Sequence, residues 1–177
     1  MLKLTKPLVL CGFMASGKST IGHLAAEVWH LPFHDTDSMI TVQTGKTIPE
    51  IFDAFGEVGF RDIEHDICQQ VSRFKSCVVS TGGGLLTFER NGDVLKEKTC
   101  IVLLHRDFDK TWTYLSGCRN RPMIRNKTKE EVQSLYLARI PLYRRYADIE
   151  IQNNDQPDAC LKKLESALYQ AGIIQSD

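Results

Sequence analysis

Residues 11–20 read Cys11-Gly-Phe-Met-Ala-Ser-Gly-Lys-Ser-Thr20. The apolar run from Leu8 to Leu10 precedes them, and a helical period from Lys18 to Trp29 overlaps their end and follows them. Gly12, Gly17, Lys18 and Ser19 therefore fill the pattern GxxxxGK[ST] at a strand-to-helix turn. Glycine lets successive backbone N–H groups turn inward around phosphate oxygens at a helix N-terminus. Lys18 adds a charge toward the outer phosphates, and the Ser19 hydroxyl can ligate Mg²⁺. A glycine-rich turn with a capping serine is the plainer reading, but pattern and context together predict a loop that holds a nucleoside triphosphate.

Outward from the loop, short β-branched runs alternate with helical periods, the pattern of an α/β protein with a buried parallel sheet. Strands are predicted at Leu8–Cys11, Pro32–His34, Cys77–Ser80, Cys100–Leu104 and Ile149–Gln152. Each is read as a continuous hydrophobic run, the expectation for strands covered on both faces. Helices are predicted at Lys18–Trp29, Ile48–Phe55, Glu57–Arg73, Phe108–Leu115, Lys129–Tyr146 and Pro157–Ala171. The segment 117–128, GCRNRPMIRNKT, has no period and reads as a basic loop. Ligands of open α/β sheets sit beyond the carboxyl ends of the strands. The first three strands end in GFMASGKS, DTD and TGGG, so the chemistry is expected to gather at one edge.

The 177 residues suit one domain, expected over residues 1–177. Lys plus Arg equals Asp plus Glu at 22 each, so net charge gives no reason to expect nucleic acid as a partner. The signs are uneven: eight acids lie between Asp35 and Asp66, and eight bases between Arg119 and Arg145. The six cysteines form no CxxC pair and sit mostly in apolar runs, which predicts core thiols in a reducing compartment. No segment approaches membrane-spanning length, and MLKLTKPLVLCG leads into a strand rather than a cleavable leader. A cytoplasmic monomer is expected.

A GTPase would need a strand-end DxxG and a guanine-reading NKxD. Asp53–Gly56 has the first spacing inside a helical period, and Asn126–Lys129 places Lys129 where the acid belongs. Both matches fail, and the remaining polar signals suit an acceptor pocket. Asp35 and Asp37 flank Thr36 at a strand end; one could orient metal-bound water and the other accept a hydrogen bond from an attacking hydroxyl, the plainer alternative being that Asp37 is a helix N-cap. Arg61 and Glu64 share a helix face, as a surface ion pair would. Phe60, Phe52 and Phe55 nearby could wall a small pocket from which Arg61 grips a carboxylate. Gly82, Gly83 and Gly84 form either a mobile turn or a place where backbone amides approach a ligand closely. Arg119, Arg121 and Arg139 lie in or beside the basic segment, where a movable arginine can stabilise the transferring phosphoryl group. Arg125, Lys127, Arg144 and Arg145 read as solvated surface.

These residues together resemble the shikimate kinase family. The resemblance runs over nearly the whole chain: GFMASGKST, DTD, I-x-x-I-F-x-x-x-G-E-x-x-F-R-x-x-E from Ile48 to Glu64, TGGG, Arg121-Pro122, and RIPLYRRYA from Arg139 to Ala147. It implies a three-layer P-loop kinase fold, similar to nucleoside monophosphate kinases, with a five-stranded parallel sheet flanked by helices, an acceptor region near residues 37–65 and a short lid near 117–128. It implies Mg²⁺-dependent transfer of the ATP γ-phosphoryl group to the 3-hydroxyl of shikimate. Gly12, Ala15, Ser16, Gly17, Lys18, Ser19 and Thr20 would surround the phosphates. Asp37 would meet the acceptor hydroxyl; Ser19 and Asp35 would hold Mg²⁺. Arg61 and Arg139 would grip the shikimate carboxylate, with Phe52, Phe60 and Gly82 to Gly84 lining its site. Arg121 would bridge the transferring group from the lid. Arg119 and Pro157, the latter in a loop from Asn154, would lie on the adenine side. The chain departs from the family in the lid, where few residues precede Arg121 and Arg119 stands only two before it. A lid that closes incompletely admits water, so ATP hydrolysis without acceptor is expected to be measurable. The alternatives are a related kinase for a gluconate-like acceptor and a degenerate nucleotide-binding regulatory homologue.

Overall fold

The computed structural model describes residues 2–117 and 127–175. Five strands form the central sheet: β2 (Leu8–Cys11), β3 (Phe33–Asp35), β4 (Val78–Ser80), β5 (Cys100–His105) and β6 (Ile149–Gln152). Their order is β3-β4-β2-β5-β6 and every pairing is parallel. Two-residue strands at the chain ends, β1 (Lys3–Leu4) and β7 (Ile174–Gln175), pair antiparallel outside it.

Alternation along the strands divides the core in two. Leu8 and Leu10 of β2 point into one cluster with Val78, Val102 and Leu104, covered by α1 (Lys18–Trp29) and α7 (Pro157–Gln170). Val9 and Cys11 point into the other, with Val79, Ile101 and Leu103, covered by α3 (Ile48–Val71) and α6 (Lys129–Tyr146). The result is a helix–sheet–helix sandwich, the P-loop kinase architecture that the sequence leads one to expect. The five described cysteines are all buried and unbridged, so they are core thiols. Burial pushes Cys11 up to about 12, which keeps it inert.

Local chemistry sets the helix ends near the site. Thr47 opens α3 with a reciprocal capping box to Glu50, worth about 1 kcal/mol. At Gly56, with φ 65° and ψ −174°, the helix is interrupted, so the two predicted helices on either side are real segments joined at a kink. A second capping box, Thr128 with Glu131, starts α6. Two helices were not predicted. One is α2 (Thr36–Thr44), a short segment with only Thr36 and Ile40 buried. The other is α4 (Glu89–Lys98), whose sequence ERNGDVLKEK is too polar and too rich in poor helix formers to show a period. Between Phe108–Gly117, which is α5, and Thr128 the expected lid falls almost wholly outside the described residues, and with it Arg119 and Arg121.

Candidate active site

β2 lies between β4 and β5, so crossovers leave it in both directions and a crevice opens at its carboxyl end. The phosphate loop fills that position. Gly12 (φ 143°) and Gly17 (φ 93°) hold left-handed backbone, and a Cβ would fall 2.5 Å from the Leu104 carbonyl oxygen at the first and 2.4 Å from Asn153 Nδ2 at the second. Neither position has room for a side chain. Lys18 is almost buried, and its ammonium donates to the carbonyls of Gly12 (3.0 Å) and Phe13 (2.9 Å), so it is held inside the loop. Asn153, from the end of β6, donates to the Ser16 carbonyl at 2.7 Å and pins the loop from outside. Ser16 is itself buried beneath the loop. Asn153 gave no sequence signal, because its contact spans 137 positions.

A cavity of about 580 Å³ adjoins the loop. Ala15, Gly17, Lys18, Ser19 and Thr20 form one side, and Asp35, Asp37, Arg61 and Arg139 the other. Phe52 and Phe60 stack at 4.5 Å as an apolar wall. Phe55, expected with them, points elsewhere and is largely exposed. The cap of α2 corrects another expectation: Asp35 is the N-cap, its Oδ1 accepting from the amides of Asp37 and Ser38 at 3.1 Å each. Asp37 is thereby left in the first turn with its carboxyl open to the cavity.

Three successive glycines after β4 organise the acceptor side. A Cβ at Gly82 would lie 2.7 Å from Asp37 Oδ1, one at Gly83 would lie 3.9 Å from an Arg139 nitrogen, and one at Gly84 would lie 3.2 Å from Arg61 Nη1. Gly82 and Gly84 thus face Asp37 and Arg61, while Gly83 lies between the Met14 amide nitrogen (3.7 Å) and Arg139. The run is also fixed: Thr36 accepts from the Gly82 amide at 3.0 Å, and the Tyr143 hydroxyl donates to the Gly83 carbonyl. Burial pushes that phenol up to about 12.

Arg61 is not the surface ion pair of the plainer reading. It donates to Glu64 at 3.0 Å, and Glu64 is only 2% exposed. Its guanidinium also lies over the rings of Phe60 (5.1 Å) and Phe88 (4.5 Å). Burial raises the Glu64 pKa, and Arg61 opposes the rise. Loss of hydration raises the Asp37 pKa, with Asp35 adding to it; Lys18 and Arg61 pull the other way. Glu64 and Phe88 complete the Arg61 socket. The i,i+3 spacing signalled the first, and nothing local signalled the second.

A second cleft runs from Gly17 and Thr20 past Arg106 and Tyr114 to Asn153–Pro157. Pro157 lines this second cleft and not the first. Arg144 and Arg145 pair with Glu150 and Glu89 on the exterior, as expected of solvated bases.

A nucleotide loop and an acceptor cavity at the switch point of a parallel five-stranded sheet define an ATP-dependent kinase of the P-loop class. The family model described as Shikimate kinase matches residues 14–169. The shikimate kinase of Pseudomonas fluorescens is 40% identical over 151 residues, covering 85% of this chain and 88% of the relative. A solved shikimate kinase from Acinetobacter baumannii, in complex with shikimate, superposes with a TM-score of 0.84 at 32% identity over 94% of both chains. The chain belongs to the shikimate kinase family. A gluconokinase from Sinorhizobium meliloti, at 16% identity and a TM-score of 0.58 over 96% and 98% of the chains, shares the fold alone.

Proposed function

We propose that this chain transfers the γ-phosphoryl group of ATP to the 3-hydroxyl of shikimate, releasing ADP and shikimate 3-phosphate. The observation that carries the reading is the facing of Gly82, Gly83 and Gly84 onto Asp37, Arg139 and Arg61. Two arginines and one carboxylate around a side-chain-free backbone suit a ring bearing one carboxylate and a reacting hydroxyl.

The loop residues Gly12, Ala15, Ser16, Gly17, Lys18, Ser19 and Thr20 bind the phosphates, with Pro157 on the base side. Arg61 and Arg139 orient the acceptor by its carboxylate, as planar donors do best. Phe52 and Phe60 exclude water from one wall. Asp37 accepts the hydrogen bond of the attacking hydroxyl; as the new P–O bond forms and the bond to the β-phosphate oxygen breaks, the hydroxyl proton passes to that carboxylate or is shared with it. A loose transition state needs little base strength, so orientation is the larger part of its role. Arg121 and Arg119 lie outside the described residues; we propose that Arg121 bridges the transferring group and that Arg119 lies on the adenine side.

Ser19 and Asp35 are the proposed Mg²⁺ residues. No cluster of three or more His, Cys, Asp or Glu exists among the described residues. One hydroxyl and one carboxylate are the sparse donor set that Mg²⁺ uses when phosphates supply the rest. When bound, Mg²⁺ neutralises charge on the phosphate oxygens. We place the protein in the cytoplasm as a monomeric, single-domain enzyme; no described helix is long and apolar enough to cross a membrane.

ADP release by the purified protein is the test, measured with shikimate, with gluconate and with no acceptor. Shikimate is expected to accelerate release by orders of magnitude over a measurable background. Equal rates in all three would overturn the reading.

A further inference from the structure

Arg106 follows β5 directly, and its guanidinium lies where the acceptor cavity and the second cleft meet. Among the described residues, only Arg106 and Tyr114, apart from Gly17 and Thr20 of the loop, border both. Its electrostatic situation differs from that of Arg61, Arg90, Arg144 and Arg145, each of which has a carboxylate partner. Among the described residues Arg106 forms no ion pair. Nη1 reaches the Ala15 carbonyl at 3.4 Å, a long contact, and the buried Nε–H has no acceptor. A sheltered guanidinium with an unsatisfied N–H is costly unless an anion completes it.

The support of this arginine is rigid. Its carbonyl accepts from the Tyr136 hydroxyl at 2.9 Å, and Tyr136 is within 2.7 Å of His105 Nε2. The parallel register of Cys11 against Leu103 sets the end of β5 beside the start of the phosphate loop. Ala15, the residue it touches, holds a left-handed backbone (φ 60°) on the same loop. A chain of phosphates leaving the loop for the second cleft passes this point.

We propose that Arg106 is a preformed phosphate clamp, its fork of N–H groups gripping the non-transferred phosphates of the nucleotide. The inference rests on the reading of the loop as a nucleotide site. It assigns the contact to a residue fixed on the sheet edge, so part of the phosphate charge is met before any arginine of segment 118–126 takes part. The planar fork matches two phosphate oxygens, whereas a lysine offers a single point charge.

The test compares ADP with adenosine by calorimetry on the full chain, wild type and Arg106→Gln. Loss of a charge-assisted pair is expected to weaken ADP about 10- to 100-fold and to leave adenosine within about twofold. Unchanged ADP affinity, or equal loss for both ligands, would overturn the clamp; equal loss would mean that only packing of the cleft wall had been disturbed. A second measurement on the wild-type protein covers a variant that does not fold. The Arg106 Nε–H resonance, assigned by its disappearance in Arg106→Lys, should move on addition of ADP and stay still with adenosine, and a signal indifferent to ADP refutes the proposal. Shikimate turnover enters neither arm, so a wild type that binds ADP but phosphorylates another acid overturns the function and not the clamp. A wild type that binds no ADP overturns both.

Discussion

Two glycine stretches end neighbouring strands of this sheet, and different forces hold them. In the phosphate loop, Gly12 and Gly17 have positive φ, and the atoms a Cβ would strike are a main-chain oxygen and a pinned asparagine. At residues 82–84 no glycine has positive φ, and the nearest atoms facing Gly82 and Gly84 are ends of side chains, Asp37 and Arg61. The first stretch is glycine because the backbone demands it. The second is glycine at residues 82 and 84 because the Asp37 and Arg61 side chains take up the room a Cβ would need. One protein therefore uses the same residue for conformation at one site and for vacancy at the other.

The largest effect should come from breaking the first. Gly12→Ala combines left-handed strain with a main-chain clash, together about 3 kcal/mol or more. We expect kcat/KM for ATP to fall at least roughly 10²-fold, with lost ADP binding seen by calorimetry; near-normal binding would show that the loop tolerates a methyl group.

Asp37→Asn tests the acceptor side. Turnover should drop about 10²-fold while ADP affinity is kept. The wild-type acid limb of the pH–rate profile should lie above the usual carboxylate range, since lost hydration raises the Asp37 pKa and activity needs the ionised form. That limb should vanish in the variant. A group whose folded pKa is raised favours the protonated chain on folding, so it costs stability as pH rises through the raised value. The neutral variant should therefore melt no lower than wild type at pH 8. The gain is small, about 1–2 °C at most, because water reaches the carboxyl from the cavity.

Arg61→Met separates binding from stability in the same region. It leaves the buried Glu64 carboxylate without its cation, a loss of about 3 kcal/mol, or roughly 6–12 °C in Tm. The Glu64 pKa is already raised by burial, and removing Arg61 takes away what opposed it. Stability is then lost as pH rises through a wider window, so the deficit in Tm should be larger at pH 8 than at pH 5. Adding Glu64→Gln should restore most of it, and a pH-independent deficit would count against a charged Glu64.

The smallest change sharpens the contrast. Gly83→Ala meets nothing closer than 3.7 Å, so ADP affinity and Tm should stay within error, about 0.5 kcal/mol. Only the apparent KM for the acceptor should rise, by a fewfold if the ring lies over this glycine.

Much of the fold was legible, for a physical reason. β2, β4 and β5 are buried on both faces, so they must be apolar throughout, and a continuous run such as CIVLLH can be seen without knowing its neighbours. The kink at Gly56 was legible because glycine interrupts the period there. α2 was not, because its cap, Asp35, belongs to the motif that the chemistry also claims. β1 and β7 were not, since two residues at each end of a chain carry no period.

The sequence by itself determined the phosphate loop, the strand-end positions of DTD and TGGG, and the pairing of Arg61 with Glu64, because each follows from residue type at short spacing. Only the tertiary structure decided that the glycines of one strand end face Asp37, Arg139 and Arg61, that Asp35 caps a helix, and that Arg106 stands between two clefts. Those relations depend on strand order and register, which join residues far apart in the chain and leave no mark in the local pattern.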